Sequence, residues 1–149
     1  MLDELDLKIL RRLMSAGRTT WAELASDCGV SAPAIAERVR RLERQRVIVG
    51  YAARLSAAQL GYDITAFVSV SLERPQHRAA FLDYVQQTAE IQECHHVTGA
   101  GDYLLKIRCR NTAALEQLIS EDIKGLAGVV QTQTSIALST VKEGAALPI

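Results

Sequence analysis

A chain of 149 residues, with 48% hydrophobic and 23% charged residues, has the composition of a globular protein of one or two small domains. It contains no apolar run of the kind a membrane span requires, so no membrane partner is expected. Net charge is zero, yet residues 1–54 carry ten Lys/Arg against seven Asp/Glu, or +3, and the remainder carries −3.

The opening MLDELDLKIL alternates acids with leucines and lacks the basic-then-apolar order of a secretory leader, so a cytoplasmic location is expected. Leu5, Ile9 and Leu13, supported by Leu2 and Leu10, recur at helical spacing, and Gly17 breaks the pattern. Thr20-Trp21-Ala22-Glu23 has the form of a capping box and predicts a second helix that stops at Gly29. Ser31 caps a third helix, with Pro33 tolerated in its first turn, where no amide partner is needed. Only a tight turn separates the second and third helices, which is helix-turn-helix geometry.

On the third helix Ile35, Val39 and Leu42 make the inward stripe. At about 100° per residue, Pro33, Glu37, Arg40 and Arg44 lie opposite, flanked by Ala34 and Arg41. Arg38, Arg40, Arg41, Arg44 and Arg46 fall within nine residues, a local anion-binding signal for which nucleic acid is one candidate partner. Val47 to Tyr51 predicts a wing-like strand, and Ser56 to Tyr62 a connector with Gly61 as its hinge.

The second half changes period. Ile64, Ala66, Val68, Val70 and Leu72 alternate with polar or opposite-facing residues and predict a strand. A helix is expected over His77 to Thr88, strands over Ile91 to Val97 and Tyr103 to Cys109, a helix capped by Asn111 or Thr112, and a last strand over Val129 to Val141. The fold class is therefore α+β: a winged helix-turn-helix followed by a ferredoxin-like β-α-β-β-α-β unit. Both helices of such a unit cover one sheet face, and a second copy is the economical cover for the other.

Three groupings carry chemistry. The arginines of the third helix suit phosphates, while Ala34 and Glu37 suit thymine methyls and cytosine amino groups. A merely solvated helix face is the competing reading, disfavoured by the conjunction with Thr20, Gly29 and Ser31. In the turn Thr98-Gly99-Ala100-Gly101-Asp102-Tyr103, glycine amides can meet a carboxylate and Asp102 an ammonium group, although an ordinary hairpin turn uses the same residues. Cys94-His95-His96 is a weak metal signal, because successive strand residues face opposite ways. Cys28, Cys94 and Cys109 stand in no disulfide framework or paired metal spacing. No catalytic arrangement or cofactor loop is legible.

LDLKILRRLMSAGRTTWAELASDCGVS (Leu5 to Ser31), ERVRRLERQRVIVGY (Glu37 to Tyr51) and IQECHHVTGAGDYLLKI (Ile91 to Ile107) together resemble the Lrp/AsnC family of transcription regulators, over nearly the whole chain. The resemblance implies a DNA-binding domain at 1–54, a linker at 55–62 and an effector-binding, oligomerising RAM domain at 63–149. It implies double-stranded DNA as partner, dimers through the RAM sheet, and commonly octamers. By position, DNA binding falls on Thr20, Ser31, Ala32, Pro33, Ala34, Glu37, Arg38, Arg40, Arg41 and Arg44. An amino-acid effector is expected between dimers, at Gly99, Gly101, Asp102, Tyr103, Thr132 and Thr134, with no cofactor and no enzymatic activity. Arg46 stands where the family usually has Gly, and Ser139 and Thr140 replace frequent acids. Two alternatives share the architecture. A sirohaem decarboxylase calls for Arg-Arg-Ile-Gly where this chain has Val49-Gly50-Tyr51-Ala52, and an architectural DNA-compacting protein binds with little sequence preference.

Overall fold

In the computed structural model, which describes all 149 residues, helix α1 (Glu4–Ser15) begins with a reciprocal cap: the Asp3 carboxylate accepts the Asp6 amide and that of Asp6 accepts the Asp3 amide. Helices α2 (Trp21–Cys28) and α3 (Ala32–Arg44) follow. Ile9, Leu24, Ala25, Ile35 and Val39 pack into one cluster, and Leu42 is equally buried. Each large aliphatic side chain withdrawn from water in this way contributes about 1.5–3 kcal/mol before entropy is counted. These helices and the residues to Arg54 form one compact unit, which also includes Lys142–Ile149; Leu55–Val141 form the other.

No wing strand forms. Segment 47–51 pairs with no strand, because none lies beside it; instead the Val47 and Ile48 amides both donate to the Leu42 carbonyl. Ile48 packs against the helical core, Val49 is left exposed, and the Tyr51 hydroxyl donates to Glu43 Oε1 at 3.0 Å. Burial, followed by the Glu43 carboxylate, pushes the Tyr51 phenol up to about 12.

The second unit has the expected β-α-β-β-α-β order: β1 (Ile64–Leu72), α4 (Arg78–Gln87), β2 (Ile91–His96), β3 (Tyr103–Cys109), α5 (Thr112–Glu116) and β4 (Val129–Ile136). The sheet is antiparallel with strand order β2-β3-β1-β4. Ala66, Val68 and Val70 of β1 and Tyr103, Leu105, Ile107 and Cys109 of β3 share the helix-covered face with Phe81, Leu115, Leu118 and Ile123. The opposite face carries Phe67, Ser69 and Ser71 of β1 beside Ser135, Gln133 and Gln131 of β4. No helix is long and apolar enough to cross a membrane.

One expected boundary moves. The last strand ends at Ile136, not Val141: β1 begins at Ile64, and the ladder's last bond runs from the Ala137 amide to the Thr65 carbonyl, so later residues have no strand to pair with. The last helix continues past α5, as the helical spacing of Leu115, Leu118, Ile119 and Ile123 leads one to expect, but as a π-helical stretch, Gln117–Ile123, which turns Leu118, Ile119 and Ile123 inward. Segment 55–62 contains a 3₁₀ turn, Ala58–Leu60, and Arg110 both stacks on Tyr62 (4.8 Å) and donates to the Leu60 carbonyl. At the other end, residues 142–149 lie with the helical unit, where Arg11 Nε donates to the Ile149 carbonyl and Arg54 to that of Glu143.

Candidate nucleic-acid interface and ligand turn

The turn that presents α3 is fixed by local chemistry. Thr20 and Glu23 complete their box, with the Glu23 carboxylate accepting the Thr20 amide at 2.7 Å and its hydroxyl at 2.8 Å. Those bonds hold the Glu23 carboxyl below its usual range. Gly29 adopts the left-handed conformation (φ 70°), and Ser31 Oγ accepts the Ala34 amide at 3.4 Å. The third helix therefore leaves the second with a defined direction.

Pro33, Ala34, Glu37, Arg40 and Arg44 are exposed, as are Thr20 and Ser31, while Ala32 packs against the core. Glu37 lies between the two outward arginines, 3.0 Å from Arg44 and 3.9 Å from Arg40. The Arg44 bond holds its carboxyl below the usual range. Such solvent-exposed pairs are worth little, about 0–1 kcal/mol, and exchange readily for other anions.

Arg38 and Arg41 stand apart from this set. Both turn toward α1, where Arg38 donates to Asp6 Oδ1 at 2.9 Å and Asp3 Oδ2 at 2.6 Å, and Arg41 Nη2 meets Asp6 Oδ1 and Oδ2 at 2.7 and 2.6 Å. Asp6 is fully buried. Sequence reasoning missed Asp3 and Asp6, although a carboxylate one turn before the buried Ile9 and Leu10 signals an internal cation.

In the second unit the β2–β3 turn is held tightly to β1. Gly99 has φ 127°, and a Cβ at Gly101 would lie 2.1 Å from Ser69 Oγ. The Asp102 amide donates to the Val70 carbonyl, while Asp102 Oδ2 accepts the Leu72 amide at 2.7 Å. That carboxylate is thus already partly engaged within the chain. Tyr103 is a core residue: only 3% exposed, its ring packs on Phe81 at 5.0 Å and His96 at 5.1 Å. Its position in the alternation with Leu105, Ile107 and Cys109 carries that signal. Thr132 and Tyr103 flank the same β1 residue, Val70, from opposite sides, so the turn and the start of β4 meet about two strand spacings, roughly 10 Å, apart. Thr134, opposite Val68, lies one pleat farther on and is exposed.

Cys94 and His96 pair with Leu105 and Tyr103 on the helix side, while Glu93 and His95 pair with Lys106 and Leu104 on the open side. The run of three is therefore split between faces. His95 instead lies 3.2 Å from Glu93, whose carboxyl is held low by His95 and Lys106, and burial pushes the Cys94 thiol up.

Comparison with known proteins matches both units. Residues 2–43 fit the model of the AsnC-type helix-turn-helix domain, and residues 65–147 that of the Lrp/AsnC ligand binding domain. The chain is 41% identical to the leucine-responsive regulatory protein of Escherichia coli K12 over 99% of its own length and 92% of the relative's. A Neisseria meningitidis transcriptional regulator solved with L-methionine superposes with TM-score 0.96 at 30% identity, covering 99% of this chain and 97% of that one. Escherichia coli AsnC gives 0.91 at 30% identity, with 98% of both chains covered. A feast or famine regulatory protein of M. tuberculosis, complexed with L-methionine, gives 0.89 at 34% identity, with 96% of each covered.

Proposed function

This chain belongs to the Lrp/AsnC family of transcriptional regulators, and we propose that it reads duplex DNA through the outer side of α3 and answers to a free amino acid bound at the β2–β3 turn. The observation that carries this reading is the exposed row Ala34, Glu37, Arg40 and Arg44 on a helix whose start is fixed by Gly29 and Ser31. A small residue near the helix start admits close approach to base edges, and cations farther along meet phosphates. Two such helices in a dimer read half-sites about one turn of duplex apart.

For the ligand, the supporting features are the glycine turn at Gly99 and Gly101 and the hydroxyls of Thr132 and Thr134. Amides and hydroxyls serve a carboxylate, and Asp102 serves an ammonium group through what its bond to Leu72 leaves. Tyr103 acts from below as packing for the turn. L-methionine in the two related structures makes an amino acid the ligand class of choice. The open sheet face with Phe67 accounts for a second copy, and ligand bound between dimers accounts for higher assembly, an octamer in the fullest form. Ligand then acts only through its different affinity for the assembly states.

A regulator of this kind works in the cytoplasm and is not an enzyme. The decarboxylase alternative finds no support, since the relatives are named as regulators and Val49-Gly50-Tyr51-Ala52 lacks the basic segment. Thermal unfolding with each of the twenty amino acids, paired with retention on a DNA library, tests the reading. A ligand at about one hundred times its dissociation constant adds about 2.7 kcal/mol to apparent stability. A flat panel, or a chain that retains no DNA, overturns it.

A further inference from the structure

We propose that Asp6 is a positioning residue for the DNA-reading helix, and that by holding Arg38 and Arg41 it removes them from the phosphate-binding set, leaving Arg40 and Arg44 to make the contacts. The inference rests on the DNA-binding reading above and divides a run of arginines that the sequence presents as one patch.

The division follows from burial and hydrogen-bond capacity. A carboxylate accepts at about four lone-pair sites. At Asp6 these are taken by Arg38 and Arg41 on Oδ1 and by Arg41 and the Asp3 amide on Oδ2. The Asp6 side chain is 0% exposed. Moving either guanidinium to a phosphate would leave a desolvated carboxylate short of partners, a cost that an exposed ion pair never imposes. Arg40 and Arg44 are under no such constraint, being 66% and 63% exposed and paired only with the exposed Glu37.

The same bonds have a mechanical consequence. Arg38 and Arg41 lie three residues apart on the side of α3 that faces α1, and a single carboxylate binds both. With Asp3 joined to Arg38, the first turn of α1 is tied to the middle of α3. Rotation of α3 about its axis, which would re-aim Ala34 and Glu37, has to break those bonds. Asp6 thereby acts on recognition without touching DNA.

Salt dependence separates contacting from non-contacting cations, because each phosphate contact adds about 0.9 to the slope of log affinity against log salt. The probe is a fluorescent duplex of mixed sequence titrated with full-length protein at several salt concentrations. Arg40→Gln and Arg44→Gln are expected to flatten the slope by about 0.9 per protomer bound. Arg38→Gln should leave it unchanged. The double variant Asp6→Asn/Arg41→Gln, which removes both charges together and keeps a folded protein in hand if Arg41→Gln alone fails to fold, should steepen it by less than Asp6→Asn does, because only Arg38 is then released. Asp6→Asn alone should steepen the slope, since the released guanidiniums become available to phosphate, a response that loss of stability does not produce. Equal flattening by all four arginine changes, or a slope unmoved by Asp6→Asn in a folded protein, overturns the inference while leaving DNA binding intact. A parent chain that does not bind the duplex overturns the DNA-binding reading and this inference together.

Discussion

Gly101 lies against Ser69 so closely that a Cβ on the glycine would stand 2.1 Å from the serine Oγ. The turn that carries the proposed ligand amides is therefore seated on β1 with the Ser69 hydroxyl standing where a side chain would begin. Gly101→Ala is expected to destabilise the second unit by about 1–3 kcal/mol, the usual range for overpacking. Adding Ser69→Ala removes the obstructing atom and should recover most of that loss, leaving only contacts near 3.4 Å with the Ser69 Cβ and the Val70 carbonyl. Urea midpoints of the two variants measure this, and a parent-like Gly101→Ala would show that the turn has space.

At the end of α3 the chain turns through Arg46, the one non-glycine residue with positive φ, at 59°. Its amide donates to the Glu43 carbonyl at 3.0 Å, so the conformation is held by the helix end rather than by its side chain. A left-handed conformation costs an L-residue roughly 1–2 kcal/mol, and glycine escapes it at some entropic expense. Arg46→Gly should therefore raise stability by about 0.5–1 kcal/mol. Arg46→Ala should not, because it keeps the Cβ. Melting temperatures of the pair separate the backbone effect from loss of the guanidinium, and equal behaviour of the two refutes it.

Features set by neighbouring residues were legible in the sequence, and those set across the fold were not. The bounds of β1 and β3 follow from alternation alone, and the caps at Thr20 and Ser31 from residues three positions on. The partition of the arginines was hidden because Asp6 lies 32 and 35 residues from its partners, and charge counting treats each cation alike. The wing strand fails to form for a related reason: apolar residues at Val47 and Val49 satisfy a strand pattern, but a strand exists only where another edge offers hydrogen bonds. Tyr103 was legible in part, since its register announces an inward ring, while the family resemblance assigned it to the ligand. The end of β4 depended on where β1 begins, which the last strand's own residues do not encode.

The capping box of α2 gives a pH prediction. Glu23 is ionised in its box, and its folded value lies below the ordinary 4.5 because the Thr20 amide and hydroxyl bond the charged form. A depressed folded value means that the contribution is present in full above 4.5 and is lost as pH falls through the lower folded value. Asp3 and Glu37, held low chiefly by Arg38 and Arg44, act in the same direction. Glu23→Gln should therefore lower stability at neutral pH and flatten its decline in acid. Thr20→Ala, which removes both the acceptor of the Glu23 amide and a donor to the ionised Glu23 carboxylate, should cost about 1 kcal/mol at neutral pH and less in acid. Circular dichroism melts from pH 6 down to about 3 follow both. An acid profile for Glu23→Gln that parallels the parent's would deny the box its part in that decline.

Thr132 and Thr134 separate ligand contact from fold. Both lie on β4, whose inner neighbours Val70 and Val68 supply the packing, so their hydroxyls are not needed to hold the sheet. Replacing either by valine keeps the branched shape and the strand preference while deleting one hydrogen-bonding group. Surface changes of this kind usually move stability by no more than about 0.5 kcal/mol. A hydroxyl bonded to the ligand carboxylate, by contrast, is worth about 1.5–3 kcal/mol, or roughly tenfold or more in affinity. Thr132, nearer the glycine turn, should show the larger effect. Titration calorimetry with the amino acid that stabilises the parent in the thermal panel should thus find weakened binding to Thr132→Val and a smaller loss for Thr134→Val, with melting temperatures of the ligand-free proteins unchanged. Undiminished affinity in both would move the ligand away from the start of β4.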